Sequence, residues 1–304
     1  LMDNLNNEPN ATPESFDSIQ RFIFNDYAIR GEVVQLQKSY AALIEGHNYP
    51  DCIKTLLAKM QTAICLITST LKLQGSIMLQ IRGQGALHYA YVNSNHLNET
   101  RGLASFEEGL SGTTLKEIVG ENAIMSVTVI PDEGQQYQGI IALDKPTIAE
   151  CIEEYYHQSM QIDTKIYIFA DIEKAVAGGM LLQVLPSDNH KKQAEDFNHC
   201  TTLADTLTAA EVLTLDSQDV IYRLFNQDSV NIFPNEPICF KCMCSREHFH
   251  EMLSHLNPNE ISEIISGPGS AEIECHCCGK KYTYNQEELL EILREAKSHT
   301  QENN

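Results

Sequence analysis

Four cysteines carry the residue types and spacing for chemistry. Cys242 and Cys244 form a C-x-C, Cys275 and Cys278 form a C-x-x-C, and thirty residues separate the two pairs. Two close thiol pairs at such a distance can meet as a tetrahedral four-cysteine zinc site. The C-x-C spacing is rare in ordinary zinc ribbons and points to redox chemistry beside metal binding. Zinc keeps sulfur as thiolate, the form that attacks peroxide or hypochlorite, so one site can be both a fold staple and an oxidant detector.

The run Cys275-His276-Cys277-Cys278-Gly279 is similar to half of a zinc knuckle, where the glycine lets backbone N–H groups approach the thiolates. Cys239, Cys277, His276, His248 and His250 are further donors nearby that could be exchanged into the site. The expected ligand set is Cys242, Cys244, Cys275 and Cys278, holding one zinc per chain. A module of about 65 residues rarely draws more than ~3–5 kcal/mol from its own core. Structural zinc contributes roughly 10–16 kcal/mol of apparent binding, so metal loss is expected to unfold the module. A permanently closed structural site is the plainer alternative; the C-x-C, the surplus thiols and the weakly held segment before the module count against it.

The elements that must position this site begin after residues 1–15, an Asn- and Pro-rich stretch that reads as a disordered tail. From Phe16, apolar Ile19, Phe22 and Ile23 predict a helix or mixed segment. Pro50 then opens a helix whose Ile53, Leu56, Leu57, Met60, Ile64, Ile67 and Leu71 would bury one face. Ser76–Ile81, Leu87–Val92, Ile124–Ile130 and Tyr137–Leu143 read as strands, the last two joined by a hairpin at Pro131-Asp132-Glu133-Gly134. A helix from Thr147 to about Gln158 and strands at Lys165–Ala170 and Met180–Leu185 follow. The fold class is α+β: a mixed α/β N-terminal core domain over residues 16–190, a helical linker over 191–238, and a small zinc-binding redox-switch domain over 239–304. Between Gln193 and Asn231 seven carboxylates face the single Arg223, so self-repulsion should leave the linker weakly docked and conditionally folded.

Composition narrows the function. The 304 residues carry a formal charge of −21, which repels nucleic acid phosphates and anionic membranes. Met60–Leu71, a representative apolar run, is interrupted by Gln61 and four Ser/Thr, and no run approaches the roughly 20 residues of a membrane span. The start lacks the basic-then-apolar order of a signal peptide, so a cytoplasmic location is expected. In that reducing compartment ten cysteines are not a standing disulfide framework, and six of them lie between Cys239 and Cys278, which points to metal.

The run Phe240-Lys241-Cys242-Met243-Cys244-Ser245-Arg246-Glu247, followed by Cys275 to Gly279, resembles the redox-switch domain of the 33-kilodalton heat-shock holdase family. Ala28-Ile29-Arg30-Gly31-Glu32, Tyr137-Gln138-Gly139 and the stretch from Ala177 to Pro186 are similar to the N-domain signatures of that family, in the same order. The likeness spans about Phe16 to Leu293. It implies an ATP-independent chaperone without enzymatic turnover, inactive when reduced and zinc-bound. Oxidation would eject the zinc, unfold switch and linker, and expose apolar surface to unfolded client proteins. It also implies disulfides Cys242–Cys244 and Cys275–Cys278 and a homodimer in the oxidised state. A cramped C-x-C disulfide should be readily reversed by cellular thiols. Cys239 and Cys277 depart from the four-cysteine pattern of the family and open alternative pairings, Cys239 with Cys242 and Cys275 with Cys277.

Other features read more plainly. Cys52, Cys65, Cys151 and Cys200 are expected as buried or incidental helix thiols. Gly83-Gln84-Gly85 is a turn rather than a dinucleotide loop. His157 and His199 are surface helix residues. Two rival functions remain. A nucleic-acid-binding zinc ribbon is opposed by six Lys/Arg against eleven Asp/Glu from Cys239 onward. A thiol oxidoreductase using Cys275 and Cys278 would need a helix N-terminus at the C-x-x-C, where the sequence shows a turn and a short strand.

Overall fold

The computed structural model describes residues 16–71 and 74–302; the tail expected at 1–15 lies outside them. The chain runs β1 (Ser18–Phe24), β2 (Ile29–Leu36), α1 (Lys38–Ile44), α2 (Asp51–Thr70), β3 (Gly75–Arg82), β4 (Leu87–Asn95) and β5 (Glu99–Phe106). It continues through α3 (Leu115–Val119), β6 (Ile124–Pro131), β7 (Tyr137–Ala142), α4 (Ile148–Tyr155), β8 (Thr164–Asp171) and β9 (Val176–Val184). Then come α5 (His190–Ala204), α6 (Ala209–Val212), α7 (Ser217–Phe225) and the short strands β10 (Val230–Ile232), β11 (Glu236–Pro237) and β12 (Cys239–Phe240). The last elements are α8 (Arg246–Ser254), α9 (Pro258–Ser266), β13 (Ala271–Glu274), β14 (Lys281–Tyr284) and α10 (Gln286–Glu302). The described residues up to Ile44, with Asn48–Lys241, form one compact unit; Glu45–His47 with the described residues from Cys242 onward form a second.

The first unit holds two six-stranded sheets. One has the order β10-β1-β2-β9-β8 with β11 also on β1, the other β12-β5-β4-β3-β6-β7. The segment expected as helix or mixed is strand β1, paired antiparallel to β2 from Ser18↔Gln35 to Ile23↔Arg30. Its two-residue alternation was hidden because both faces of the sheet are covered: Ile19 enters one core, Phe22 and Phe24 the other. Strands β2 and β5 were not foreseen, for the same reason in β2, where Val34 and Leu36 face one core and Ile29 and Val33 the other.

The helix opened by Pro50 is α2, and it is buried on far more than one face. Its buried positions include Gln61, Thr62, Thr68 and Thr70 beside the apolar stripe, because it packs against strands of both sheets. Their donors are satisfied internally: Thr62 Oγ1 donates to Ala58 O at 3.0 Å, Thr68 Oγ1 to Ile64 O at 2.7 Å, and Gln61 Nε2 to Thr100 Oγ1 at 2.9 Å, while the buried Gln61 Oε1 has no hydrogen-bond partner among the described residues. The α4 start is fixed by a capping box between Thr147 and Glu150. A single π-helical turn, Tyr156–Met160, continues that helix.

The acidic segment is docked on the other face of the first sheet. Cys200, Ala204, Leu207, Val212, Leu213, Val220, Ile221 and Phe225 form one core with Phe22, Phe24, Val33, Met180 and Leu182. Polar ties accompany the burial. Gln35 Nε2 donates to Val212 O at 2.6 Å and Leu215 O at 2.7 Å, and Tyr167 Oη donates to Asp205 Oδ1 at 2.7 Å. Glu195, Asp205, Asp216 and Asp219 are exposed, so most of the charge that opposes docking stays in water, while the buried Asp228 side chain is held by Tyr27 Oη at 3.0 Å and His199 Nε2 at 3.1 Å.

Candidate metal centre

The second unit builds its site from two loops and a hairpin. Cys242 and Cys244 lie between β12 and α8, where Ser245 caps the helix by accepting from His248 N at 3.0 Å. Cys275 and Cys278 lie in the turn between β13 and β14. That turn is closed by Cys275 N donating to Lys280 O at 2.9 Å and Gly279 N donating to Cys275 O at 2.8 Å. Gly279 has φ +68°, a left-handed conformation that costs a residue with a Cβ and is free to glycine. The glycine amide thus serves the turn, and it is the next amide, of Lys280, that faces the Cys278 sulfur.

The four sulfurs converge. One donor atom from each of Cys242, Cys244, Cys275 and Cys278 lies within 4.8 Å of the others. The shortest approaches run between the loops, Cys242 Sγ to Cys275 Sγ at 3.5 Å and Cys244 Sγ to Cys278 Sγ at 3.4 Å. A tetrahedral ion with Zn–S bonds of about 2.3 Å sets its sulfurs about 3.8 Å apart, so the donors present fit a four-thiolate metal. These four form the one such group among the described residues.

The hairpin carries residues that the sequence reading missed. Tyr282 Oη donates to Cys244 Sγ and to Cys244 O, each at 3.3 Å. Tyr284 Oη donates to Arg246 O at 2.8 Å, and the Arg246 guanidinium lies 4.6 Å over the Tyr284 ring while its Nη2 donates to Thr283 O at 2.8 Å. The alternation Lys281-Tyr282-Thr283-Tyr284 directly after C-x-x-C-G was the available signal, a strand whose two tyrosines point to one side. The Phe249 ring lies 5.0 Å from the Tyr282 ring, and Leu253, Ile261, Leu289 and Ile292 are buried in the same unit.

The thiols are not equivalent. Burial works against the Cys244 thiolate, yet hydrogen bonds from Tyr282 and from the Cys242, Cys278 and Cys275 thiols outweigh it and pull this thiol down to about 7. Burial, with the bonds its own thiol donates to Cys244 and Cys275, pushes Cys242 up to about 12; Cys278 is raised for the same reasons. The cluster therefore gathers its first negative charge at Cys244, which attracts a cation and an electrophilic oxidant alike.

The remaining candidates fall outside the cluster. Cys239 is exposed on β12 in the first unit, paired with Glu99. Cys277 is buried, with its carbonyl 3.3 Å from His47 Nε2. His250 Nε2 meets Glu295 Oε2 at 2.9 Å, and the His248 ring packs on Phe249. Neither they nor His276 belong to the group of converging donors. Cys65, Cys151 and Cys200 are buried, and burial raises their pKa values, Cys200 to about 12. His157 and His199 are exposed and face Asp163 and Asp228. Gly83–Gly85 lie between β3 and β4, with no helix following. No helix begins at the C-x-x-C, which removes the setting a catalytic dithiol needs. No helix among the described residues is long and apolar enough to cross a membrane.

Comparison with known proteins shows the family of this chain. The family model described as Hsp33 protein matches residues 17–285. The chain is 37% identical over 283 residues to the 33 kDa chaperonin of Pectobacterium atrosepticum, covering 92% of this chain and 97% of that one. It is 38% identical over 277 residues to the 33 kDa chaperonin of Shewanella oneidensis, covering 91% and 95%. The crystal structure of the Hsp33 homologue from Thermotoga maritima shares the fold with a TM-score of 0.77 at 20% identity, over 91% of this chain and 98% of that one. With its matching model, its relatives and its fold, this chain belongs to the Hsp33 family of non-enzymatic chaperones.

Proposed function

We propose that this protein is a redox-regulated, ATP-independent holdase that binds unfolding proteins under oxidative stress and is inactive while reduced and zinc-bound. The observation that carries the reading is the convergence of four thiol sulfurs within 4.8 Å in a chain of this family. Zinc is the metal that four soft, tetrahedrally spaced sulfurs favour, and when bound it supplies the positive charge that holds them as thiolates.

The residues of the chain do the rest. Cys242 pairs with Cys244 and Cys275 with Cys278. Forming each S–S bond sends two electrons from two thiolates to one hydrogen peroxide, which takes two protons from the solvent and leaves as two waters. Paired sulfurs no longer offer thiolate donors, and the module, drawing on a small core, unfolds. The acidic segment follows, because its carboxylates repel and its apolar side is thin, and it uncovers the face made by Phe22, Phe24, Val33 and Met180. Clients bind this apolar face and the released segment, and two oxidised copies associate. The net charge of −21 keeps nucleic acid and anionic membranes from competing, and a reducing cytoplasm suits ten unpaired cysteines.

The test couples metal to activity. Zinc-loaded protein is treated with peroxide or hypochlorite, released metal is followed with a chromophoric chelator, and suppression of client aggregation is measured before and after. One equivalent of zinc released, with suppression appearing only afterwards and reversed by a reductant, is the expected result. Zinc that stays bound, or leaves without any gain in suppression, would overturn it.

A further inference from the structure

Strand β12 fastens the chain to the first unit right up to the C-x-C. Cys239 N donates to Asn98 O at 3.1 Å, Lys241 N donates to Thr100 O at 2.9 Å, and Thr100 Oγ1 donates to Cys239 O at 3.3 Å. Ile238 is buried in the core and Phe240 packs against it. Lys241 Nζ donates to Glu99 Oε1 at 2.5 Å. The receiving side chains are themselves held: Gln61 Nε2 donates to Thr100 Oγ1 and Asn95 Nδ2 to Glu99 Oε2, each at 2.9 Å. Lys241 ends the first unit, and Cys242 follows it directly.

The far end of the C-x-C is tied as well, because Ser245 caps α8 and Tyr282 Oη donates to Cys244. Only Cys242, Met243 and Cys244 lie between the two anchors, and each residue reaches at most about 3.6 Å, so little free chain is available. The shortest sulfur approaches run from Cys242 to Cys275 and from Cys244 to Cys278, so closing the C-x-C disulfide requires this short chain to move. The anchor at β12 is slight, two residues of parallel ladder and one ion pair. That pair is open to solvent, with the Lys241 side chain 58% exposed and that of Glu99 20%, so dissolved salt weakens it.

We propose that Glu99, acting through Lys241, is a positioning residue that sets how readily the C-x-C gives up its metal and closes its disulfide. With the pair made, Cys242 continues from a fixed residue; with the pair broken, β12 lifts more often from β5 and the loop gains slack. In the closing step the Cys242 and Cys244 thiolates give two electrons to one hydrogen peroxide: the S–S bond forms, the O–O bond breaks, and two protons from the solvent complete two waters. Glu99 takes no part in that chemistry and acts only on the chain that must move. The consequence, a response to oxidant that quickens as ionic strength rises, rests on the redox-switch reading; the catch itself rests on the contacts of Glu99, Thr100 and Lys241.

The experiment uses full-length, zinc-loaded, reduced protein and follows metal transfer to a chromophoric chelator, in one arm with reductant and in the other with hydrogen peroxide. Glu99→Lys sets two like charges together and should speed metal loss about fivefold in both arms, the scale of an exposed pair. Lys241→Glu should do the same, and the double variant Glu99→Lys/Lys241→Glu, which restores the pair in reverse, should return to the wild-type rate. Glu99→Gln should lose metal about twofold faster than wild type at ~0.02 M salt, and that gap should close at ~0.5 M. Circular dichroism checks the fold of each variant, and reversal by the second charge separates the pair from a general loss of structure. Equal rates for wild type and Glu99→Lys, or a reversed pair that does not restore the rate, overturn the proposal. Rates that respond as expected, with no gain in suppression of client aggregation after peroxide, count against the holdase reading and leave the catch standing; normal activation with equal rates does the opposite.

Discussion

Tyr282 donates its hydroxyl hydrogen to the sulfur and to the carbonyl oxygen of Cys244, each at 3.3 Å, and so fixes one residue of the C-x-C against the hairpin that carries the C-x-x-C. This bond crosses between the two loops that supply the thiols. It also names the sulfur that ionises first.

Tyr282→Phe removes that donor and keeps the ring on Phe249. In metal-free, reduced protein the Cys244 thiol should then titrate above its value of about 7, toward the ordinary thiol range near 8.5. The thiolate fraction at neutral pH falls, so alkylation of Cys244 at pH 7 slows. Peptide mapping after timed iodoacetamide labelling across pH 6–9 measures it, and an unchanged midpoint would show that the tyrosine does not hold the charge.

Replacing Cys242 or Cys275 by Ser leaves three sulfurs, too few for a closed four-thiolate site. Zinc per chain should fall from one to near zero against a competing chelator, and hydrogen exchange in residues 246–297 should rise. Either variant retaining stoichiometric zinc would contradict the ligand set.

Oxidised protein should yield Cys242–Cys244 and Cys275–Cys278 peptides in non-reducing digests, although in the reduced fold the nearest sulfurs are Cys242 with Cys275 at 3.5 Å and Cys244 with Cys278 at 3.4 Å. Local pairing requires the loops to separate before the second bond forms. Recovery of Cys242–Cys275 as the main product would mean that the module stays folded during oxidation.

Phe225 is 2% exposed, with its ring centroid 5.0 Å from that of Phe24. Phe225→Ala should destabilise the docking of α5–α7 by roughly 3–5 kcal/mol, the usual cost of so large a deletion in a core. The expected readouts are faster hydrogen exchange across residues 190–225 and partial suppression of client aggregation in reductant. Wild-type protection in that segment would show that α7 contributes little to holding it.

Glu32 is buried beside Ser69, whose hydroxyl donates to it, and burial raises its carboxyl from 4.5 to about 7. Below 4.5 folded and unfolded chains both hold the proton and the group has no effect on stability. As pH rises the unfolded chain ionises first, so stability falls between 4.5 and about 7 and the penalty is complete above that range. The full penalty is ~3 kcal/mol. Glu32→Gln should therefore have a higher urea midpoint than wild type at pH 8 and nearly the same one at pH 4.5; a difference independent of pH would exclude titration of Glu32.

The sequence by itself determined the cluster and the class of fold. Cysteine spacing is a local, covalent pattern, and a metal site demands donors of one type in pairs, so Cys242, Cys244, Cys275 and Cys278 were legible without any fold. The amphipathic run from Ile53, the β6–β7 hairpin and the helix starting at Thr147 were legible for the same reason, each being set by neighbours a few residues away. Only the tertiary structure decided what distance in sequence hides. Strand β1 alternates between two cores that lie on opposite faces of its sheet, so no single periodicity marks it. Helix α2 is enclosed rather than half-exposed because two sheets meet on it. Tyr282 reaches Cys244 across 38 residues, and that contact sets which thiol carries the charge. The docking of the acidic segment follows the same rule: its carboxylates are visible one by one in the sequence, but only packing leaves Glu195, Asp205, Asp216 and Asp219 in water and gives Asp228 to Tyr27 and His199 while Val212, Ile221 and Phe225 enter the core.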